Sequence, residues 1–259
     1  MKLTVDTVQS VLIGSLGTDG AAIASAITTV EPRNDVPTAC IDTKGHLQYN
    51  KEWAKKYLKT GSDLFCVIMH EALHKHLNTF LLGELRSADH QVLNIAEDIY
   101  INALIVRLFP RESDMISLMR KMYKGNGIEA ALRALTGNGA WTTGSKNLDH
   151  VIHKLSKEYN KPPALTEVFD IVKLLFPLDP EGMAKVLLLG NHGKEGQETE
   201  GAKKSGPLVE AVLKVAGKRA GHYGDLLKLN VKGSSNTYTV RKDILKKYWI
   251  SKISTKMFR

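Results

Sequence analysis

The segment from Ser62 to Leu81 constrains this chain more than any other. Leu64, Phe65, Val67, Ile68, Ala72, Leu77, Phe80 and Leu81 spread apolar side chains around most of a helix, so the sequence predicts a buried one. Ser62 is the expected N-cap, and Asp63 falls in the first turn, where the helix dipole favours an anion. Yet the middle of this apolar run reads His70-Glu71-Ala72-Leu73-His74. Two imidazoles and a carboxylate inside a core are costly without a compensating partner.

Their spacing points to that partner. His70 and His74 stand four residues apart, so on a helix both rings project from one face, one turn apart. Both can then reach one tetrahedral Zn²⁺ at about 2.0–2.1 Å. Glu71 is rotated by about 100° from His70, beside such an ion and close to its water. Zn²⁺ lowers the pKa of that water to about 7, and Glu71 can accept its proton as general base.

A catalytic site of this kind needs a third protein ligand and one position for water. Position 80 is Phe, which excludes the longer pattern that places a third histidine there. The next helix, expected from about Ala88 to Leu108 and ended by Pro110, offers better candidates. Val92, Ile95/Ala96, Ile99, Ala103 and Val106 form its core stripe, and Asn94, Asp98 and Asn102 form a separate polar stripe. Asp98, the only charged member of that stripe, is the first choice for the ligand. Glu97 is the alternative, as the third ligand in thermolysin-like enzymes is a glutamate, and His90 and His76 follow. Asn94 and Asn102 are expected beside the ligands.

These residues carry a resemblance. The hairpin Ile41-Asp42-Thr43-Lys44-Gly45-His46-Leu47-Gln48-Tyr49-Asn50, the helix Val67 to His74, and the segment Asn94 to Asp98 with Asn102 resemble a zincin-type metallopeptidase domain. In many bacteria that domain precedes a von Willebrand A-like domain. A weaker likeness continues through Leu188-Leu189-Gly190-Asn191-His192 and Arg241-Lys242-Asp243-Ile244-Leu245. The resemblance implies a zincin-like fold, Zn²⁺, a peptide or protein substrate, and Asp98 as ligand. It also implies an AAA-type ATPase or a separate von Willebrand A-like protein as partner. No D-x-S-x-S motif occurs, so the von Willebrand A-like domain itself is not expected in this sequence. The hairpin implies an edge strand along which a peptide lies, with His46, Gln48 and Tyr49 either lining the cleft or simply exposed.

The remaining chain reads as α+β, mainly helical, with one small sheet and no internal repeat. Residues 4–30 read as helix broken by glycines at 14, 17 and 20, and Pro32 and Pro37 mark an extended stretch. Residues 38–42 and 46–50 read as a strand pair, and 51–58 as a short helix closed by Gly61. Further helices are expected at 112–123, 127–135, 146–159, 165–175 and 180–189. The organisation predicted is a core over 1–189, a mobile loop over 190–206 and a basic helical segment over 207–259.

Charge marks out that last part. Between Ala202 and Arg259 there are 14 Lys/Arg against 3 Asp/Glu, a local +11 within a net +9. This charge implies either a solvated helix face or weak, salt-dependent polyanion binding, although no nucleic-acid-binding motif is present. Cys66, one turn before His70, reads as a small buried apolar residue. His192, and His222 with Tyr223, are candidates for stabilising an oxyanion, and His150 and His153 read as surface residues. Two cysteines, no leader-like apolar N-terminus and no membrane-length apolar run lead to the expectation of a cytoplasmic protein with no membrane contact.

Overall fold

The computed structural model describes residues 3–42, 44–81, 90–108, 113–125, 128–133, 165–177, 180–189, 207, 208, 210–212 and 214. Within them run α1 (Val5–Leu16), α2 (Thr18–Ala24), β1 (Thr29–Pro32), β2 (Ala39–Ile41), β3 (His46–Tyr49), α3 (Lys51–Tyr57) and α4 (Gly61–Leu81). Next come α5 (His90–Leu108), α6 (Ser113–Met122), α7 (Ile128–Leu132), α8 (Leu165–Leu175) and α9 (Pro180–Lys185). The described chain is thus mostly helical with a three-stranded sheet. The helix expected over 146–159, the loop over 190–206 and nearly all of the basic segment lie outside the described residues. Among the described residues no helix is long and apolar enough to cross a membrane.

The sheet differs from the sequence expectation in one way that matters for function. Thr29 and Val30, read as the end of a helix, instead begin β1, which pairs in parallel with β3 in the register Thr29↔His46 to Pro32↔Tyr49. β2 pairs antiparallel with β3, Ala39 facing Tyr49 and Ile41 facing Leu47, so the order is β1-β3-β2. The strand His46–Tyr49 is therefore central and offers no free edge. Tyr49 is buried and its hydroxyl meets the backbone of Leu3, Gln48 accepts from the Cys40 thiol, and His46 pairs with Asp42 in the turn. None of the three lines a cleft by strand addition. Gly45 holds φ of 82° in that turn, and a Cβ there would stand 1.8 Å from the carbonyl oxygen of Ala26, so both conformation and space demand glycine.

α4 is the spine of the molecule and packs against α1, α5, α6 and β2. Its cap is Thr60, not Ser62. The Thr60 hydroxyl accepts from the Asp63 amide at 3.1 Å, while the Asp63 carboxylate accepts from the amides of Lys59 and Thr60 at 2.9 Å each. This reciprocal arrangement satisfies donors at both levels of the first turn. The helix consequently begins at Gly61, which the sequence suggested as the closure of the helix before it. α9 likewise stops at Lys185, short of the expected 189, and residues 186–188 continue in no regular structure.

Asp63 is fully buried, and Lys121 of α6 bonds both its carboxylate oxygens at 2.9 and 2.8 Å. Removing Asp63 takes away two backbone caps and leaves the Lys121 ammonium without its counterion. Asp63→Ala is expected to destabilise the fold by about 3–5 kcal/mol in denaturant titrations. A loss under about 1 kcal/mol would show the pair to be incidental.

Candidate metal centre

α4 and α5 run antiparallel, because His70 meets Asn102 and, one turn further along α4, His74 meets Asp98 one turn back along α5. Where the helices face each other the apolar core is interrupted by His70, Glu71, His74, Glu97, Asp98 and Asn102, each 2% exposed or less. Ile68, Met69, Ala72, Leu73, Ile95, Ala96 and Ile99 bury the surroundings. Polar groups so enclosed must compensate one another or share a ligand.

Three atoms converge. Nε2 of His74 lies 2.9 Å from Nε2 of His70 and 3.0 Å from Oδ1 of Asp98, and Nε2 of His70 lies 3.4 Å from the same oxygen. A tetrahedral ion bound at 2.0–2.1 Å separates its N and O ligands by about 3.3 Å. The triangle is close to that size before any ion is placed in it. His70, His74 and Asp98 form a buried group that could hold a metal ion.

The other side of each ligand is also held. Asn102 donates its amide N–H to the carbonyl of Leu132, the last residue of α7, at 2.9 Å. That fixes the amide orientation and turns Oδ1 toward Nδ1 of His70 at 2.9 Å. Nδ1 of His70 must therefore carry the proton, which leaves Nε2 with its lone pair facing the centre. His74 turns Nδ1 toward Glu97 Oε2 at 3.3 Å. The backbone N–H of Leu189 donates to Oδ2 of Asp98 at 3.0 Å, leaving Oδ1 for the centre.

Electrostatics give the same picture from another side. Three lone pairs cannot converge at these distances without a proton or a cation among them. Burial alone would lower the pKa of His74, yet hydrogen bonds and charge from Asp98 and Glu97 more than offset it and push the ring up to about 9. In the metal-free fold a proton on His74 takes the place of the cation. Tyr123, just beyond α6, is buried too; burial first, and then the charge of Asp98, holds its phenol well above the ordinary range.

The raised His74 makes stability depend on pH. The folded chain binds the His74 proton more tightly than the unfolded chain, whose imidazole titrates near 6.5. The metal-free protein should gain about 3 kcal/mol that is fully present below pH 6.5 and lost as pH rises through 9. A metal ion needs the neutral ring, so its own stabilising increment should grow with pH. Thermal melts from pH 6 to 9.5, with chelator and with Zn²⁺, check both slopes. Parallel profiles in the two series would contradict this assignment of the proton.

The structure thus brings His70, His74 and Asp98 together, sets Asn102 behind His70, and sets Glu97 against the far nitrogen of His74 and away from the ligand position. Glu71 is buried on α4 beside His70, and Asn94 lies half-buried one turn before Asp98 on α5. The side chains of His76 and His90 lie outside the described residues, as do His150, His153, His192, His222 and Tyr223. Sequence reasoning missed Tyr123, Leu132 and Leu189. Only Leu189 had a signal, as part of the 188–192 segment. Comparison of the chain with family models, curated proteins and solved structures finds no match.

Proposed function

We propose that this chain is a zincin-type hydrolase of peptide bonds, with Zn²⁺ held by His70, His74 and Asp98. The observation that carries the reading is the convergence of three lone-pair atoms whose outer atoms are engaged by Asn102, Glu97 and the Leu189 amide. Outer partners of this kind orient metal-bound imidazoles and raise their basicity. Two imidazole nitrogens and one carboxylate oxygen suit zinc, and three protein ligands leave a coordination position for substrate or water. When bound, Zn²⁺ supplies Lewis acidity and a water acidified to a pKa of about 7.

The chain's own residues do the rest. Glu71, enclosed on α4, takes the proton from the attacking water and returns it to the leaving amine. Its burial removes competing solvent and strengthens each charge interaction at the centre. Asn102 and Glu97 keep the rings of His70 and His74 from turning during the reaction. Peptide is the favoured substrate class because the spacing His70-Glu71-x-x-His74 with a third carboxylate is that of zinc peptidases; β2, not β3, is the outer strand next to α4. The bonds from Asp42 to His46 and from Asn50 to Thr38 place the inward pairing on residues 38, 40 and 42. Ala39 and Ile41 therefore turn their N–H and C=O away from β3, but both residues are buried, at 1% and 2% exposed, so this side of β2 is covered and takes no added strand.

A second reading is favoured by one observation, the enclosure of all six polar groups of the centre. A metal-holding helix pair so closed serves a binding module as well as an enzyme, and its partner could be an AAA-type ATPase or a von Willebrand A-like protein. The two readings separate on Glu71→Gln in zinc-loaded protein against a mixed peptide library. Cleavage by the wild type and not by the variant supports the peptidase. A zinc-loaded wild type that cleaves nothing supports the module.

A further inference from the structure

The ligands come from α4 and α5, but the groups that aim two of them are backbone atoms of elements far away in sequence. One is the Leu132 carbonyl at the end of α7, acting through Asn102 on His70. The other is the Leu189 amide, bonded to the Asp98 oxygen that faces away from the centre. Leu189 closes a short segment that crosses α5. At its start, Gln91 in the first turn of α5 donates to the Met183 carbonyl at 2.8 Å, and Met183 and Leu189 are both fully buried. The segment is thus pinned at Gln91 and at Asp98, two points about 10 Å apart along the helix. Between the pins residues 186–188 have no regular structure: Val186 and Leu188 pack half-buried against the core, and Leu187 is 40% exposed.

We propose that the Leu189 amide is a positioning group for Asp98, so that metal binding and the docking of residues 180–189 on α5 are coupled. A carboxylate held at Oδ2 by an N–H presents Oδ1 in one orientation. Released, it can rotate or offer both oxygens, and the triangle with His70 and His74 loses its shape. The converse holds by linkage: an ion that fixes Oδ1 fixes the carboxylate, and with it the acceptor on which the Leu189 amide depends. The 180–189 segment then reports whether the centre is filled, its Leu189 end being fastened to α5 or released accordingly. This rests on the metal reading of the centre.

The test compares two variants and one exchange measurement on the full chain, with Zn²⁺ as the probe. Leu189→Pro removes the N–H without breaking a helix, because the residues before it are non-helical. Leu189→Ala keeps the N–H and loses only the buried side chain. Leu189→Pro should weaken zinc binding by about 10–100-fold, as the loss of an outer partner does, while Leu189→Ala should stay within a few-fold of the wild type. In the wild type, zinc loading should slow hydrogen exchange of the Leu189 amide by about tenfold or more relative to chelated protein, with the exposed Asp6 in the first turn of α1, whose amide exchanges by local fraying, unchanged. Should Leu189→Pro fail to fold, the exchange measurement decides alone. Equal weakening by both variants, or an exchange rate indifferent to zinc, overturns the coupling. A wild type that binds no zinc overturns it together with the metal reading, whereas zinc binding with an unaffected Leu189 amide overturns the coupling alone.

Discussion

Glu71→Gln is expected to bind zinc as the wild type does, to melt within a few degrees of it, and to lose about 10²–10⁴-fold in peptide turnover. The substitution keeps the shape and one hydrogen-bond acceptor but removes the oxygen that can hold a proton. His70, His74 and Asp98 could supply three ligands, so occupancy is not expected to depend on residue 71. The site is enclosed, and little outside solvent is at hand to take over the proton transfer. The expected signature is therefore a fall in kcat and in kcat/KM together, with zinc content unchanged. A variant that turned over peptide at the wild-type rate would remove Glu71 from the chemistry. A variant that lost its zinc would show that the carboxylate helps to hold the ion.

Stripping the metal is expected to loosen the whole α4–α5 pairing. Asp98, Glu97 and Glu71 are all enclosed, and in the metal-free protein one protonated imidazole is the cation opposite them. Buried charges left without counterions are among the most destabilising features a core can have. Zn²⁺ at a thousandfold over its Kd adds about 4 kcal/mol to the folded state, and in a chain of this size that is about 8–16 °C in Tm. Chelation should remove this gain reversibly. In His70→Ala, chelator and Zn²⁺ should make no difference to Tm, and the variant should melt below the chelated wild type because a cavity and an orphaned Asn102 are added. A His70→Ala protein with the full zinc-dependent rise in Tm would exclude His70 from the centre.

How much of this was legible in the sequence depended on whether side chains or backbone carry the signal. The interruption of an apolar helix by His70, Glu71 and His74 announces a site, because core residues of that type need compensation. The polar stripe of α5 points to Asp98 by the same logic. The choice between Asp98 and its neighbour Glu97 was open, since two adjacent residues on a helix differ only by rotation about its axis. The antiparallel crossing of α4 and α5 favours Asp98, by turning it to Nε2 of His74 and Glu97 to Nδ1. The aiming groups at Leu132 and Leu189 were invisible because a backbone carbonyl or amide has no residue signature. β1 was missed for a related reason: its partner is a parallel strand that begins 17 positions later at His46, and no local turn marks the pairing. The cap was misplaced by two residues because Ser62 and Thr60 both carry hydroxyls. Asp63, three residues after Thr60, selects Thr60 by reaching back to its amide.

The claim on which everything else rests is that α4 and α5 together build one metal site. Zinc content and affinity of purified wild type and Asp98→Ala, measured by titration against a competing chelator, test it most directly. Asp98 contributes from α5 alone, and its loss leaves the His70/His74 pair of α4 intact. One Zn²⁺ per wild-type chain is expected, with an affinity weaker by at least about a hundredfold in Asp98→Ala and helix content retained. A wild type that takes up no zinc, or an Asp98→Ala protein that holds one ion as tightly as the wild type, would contradict it.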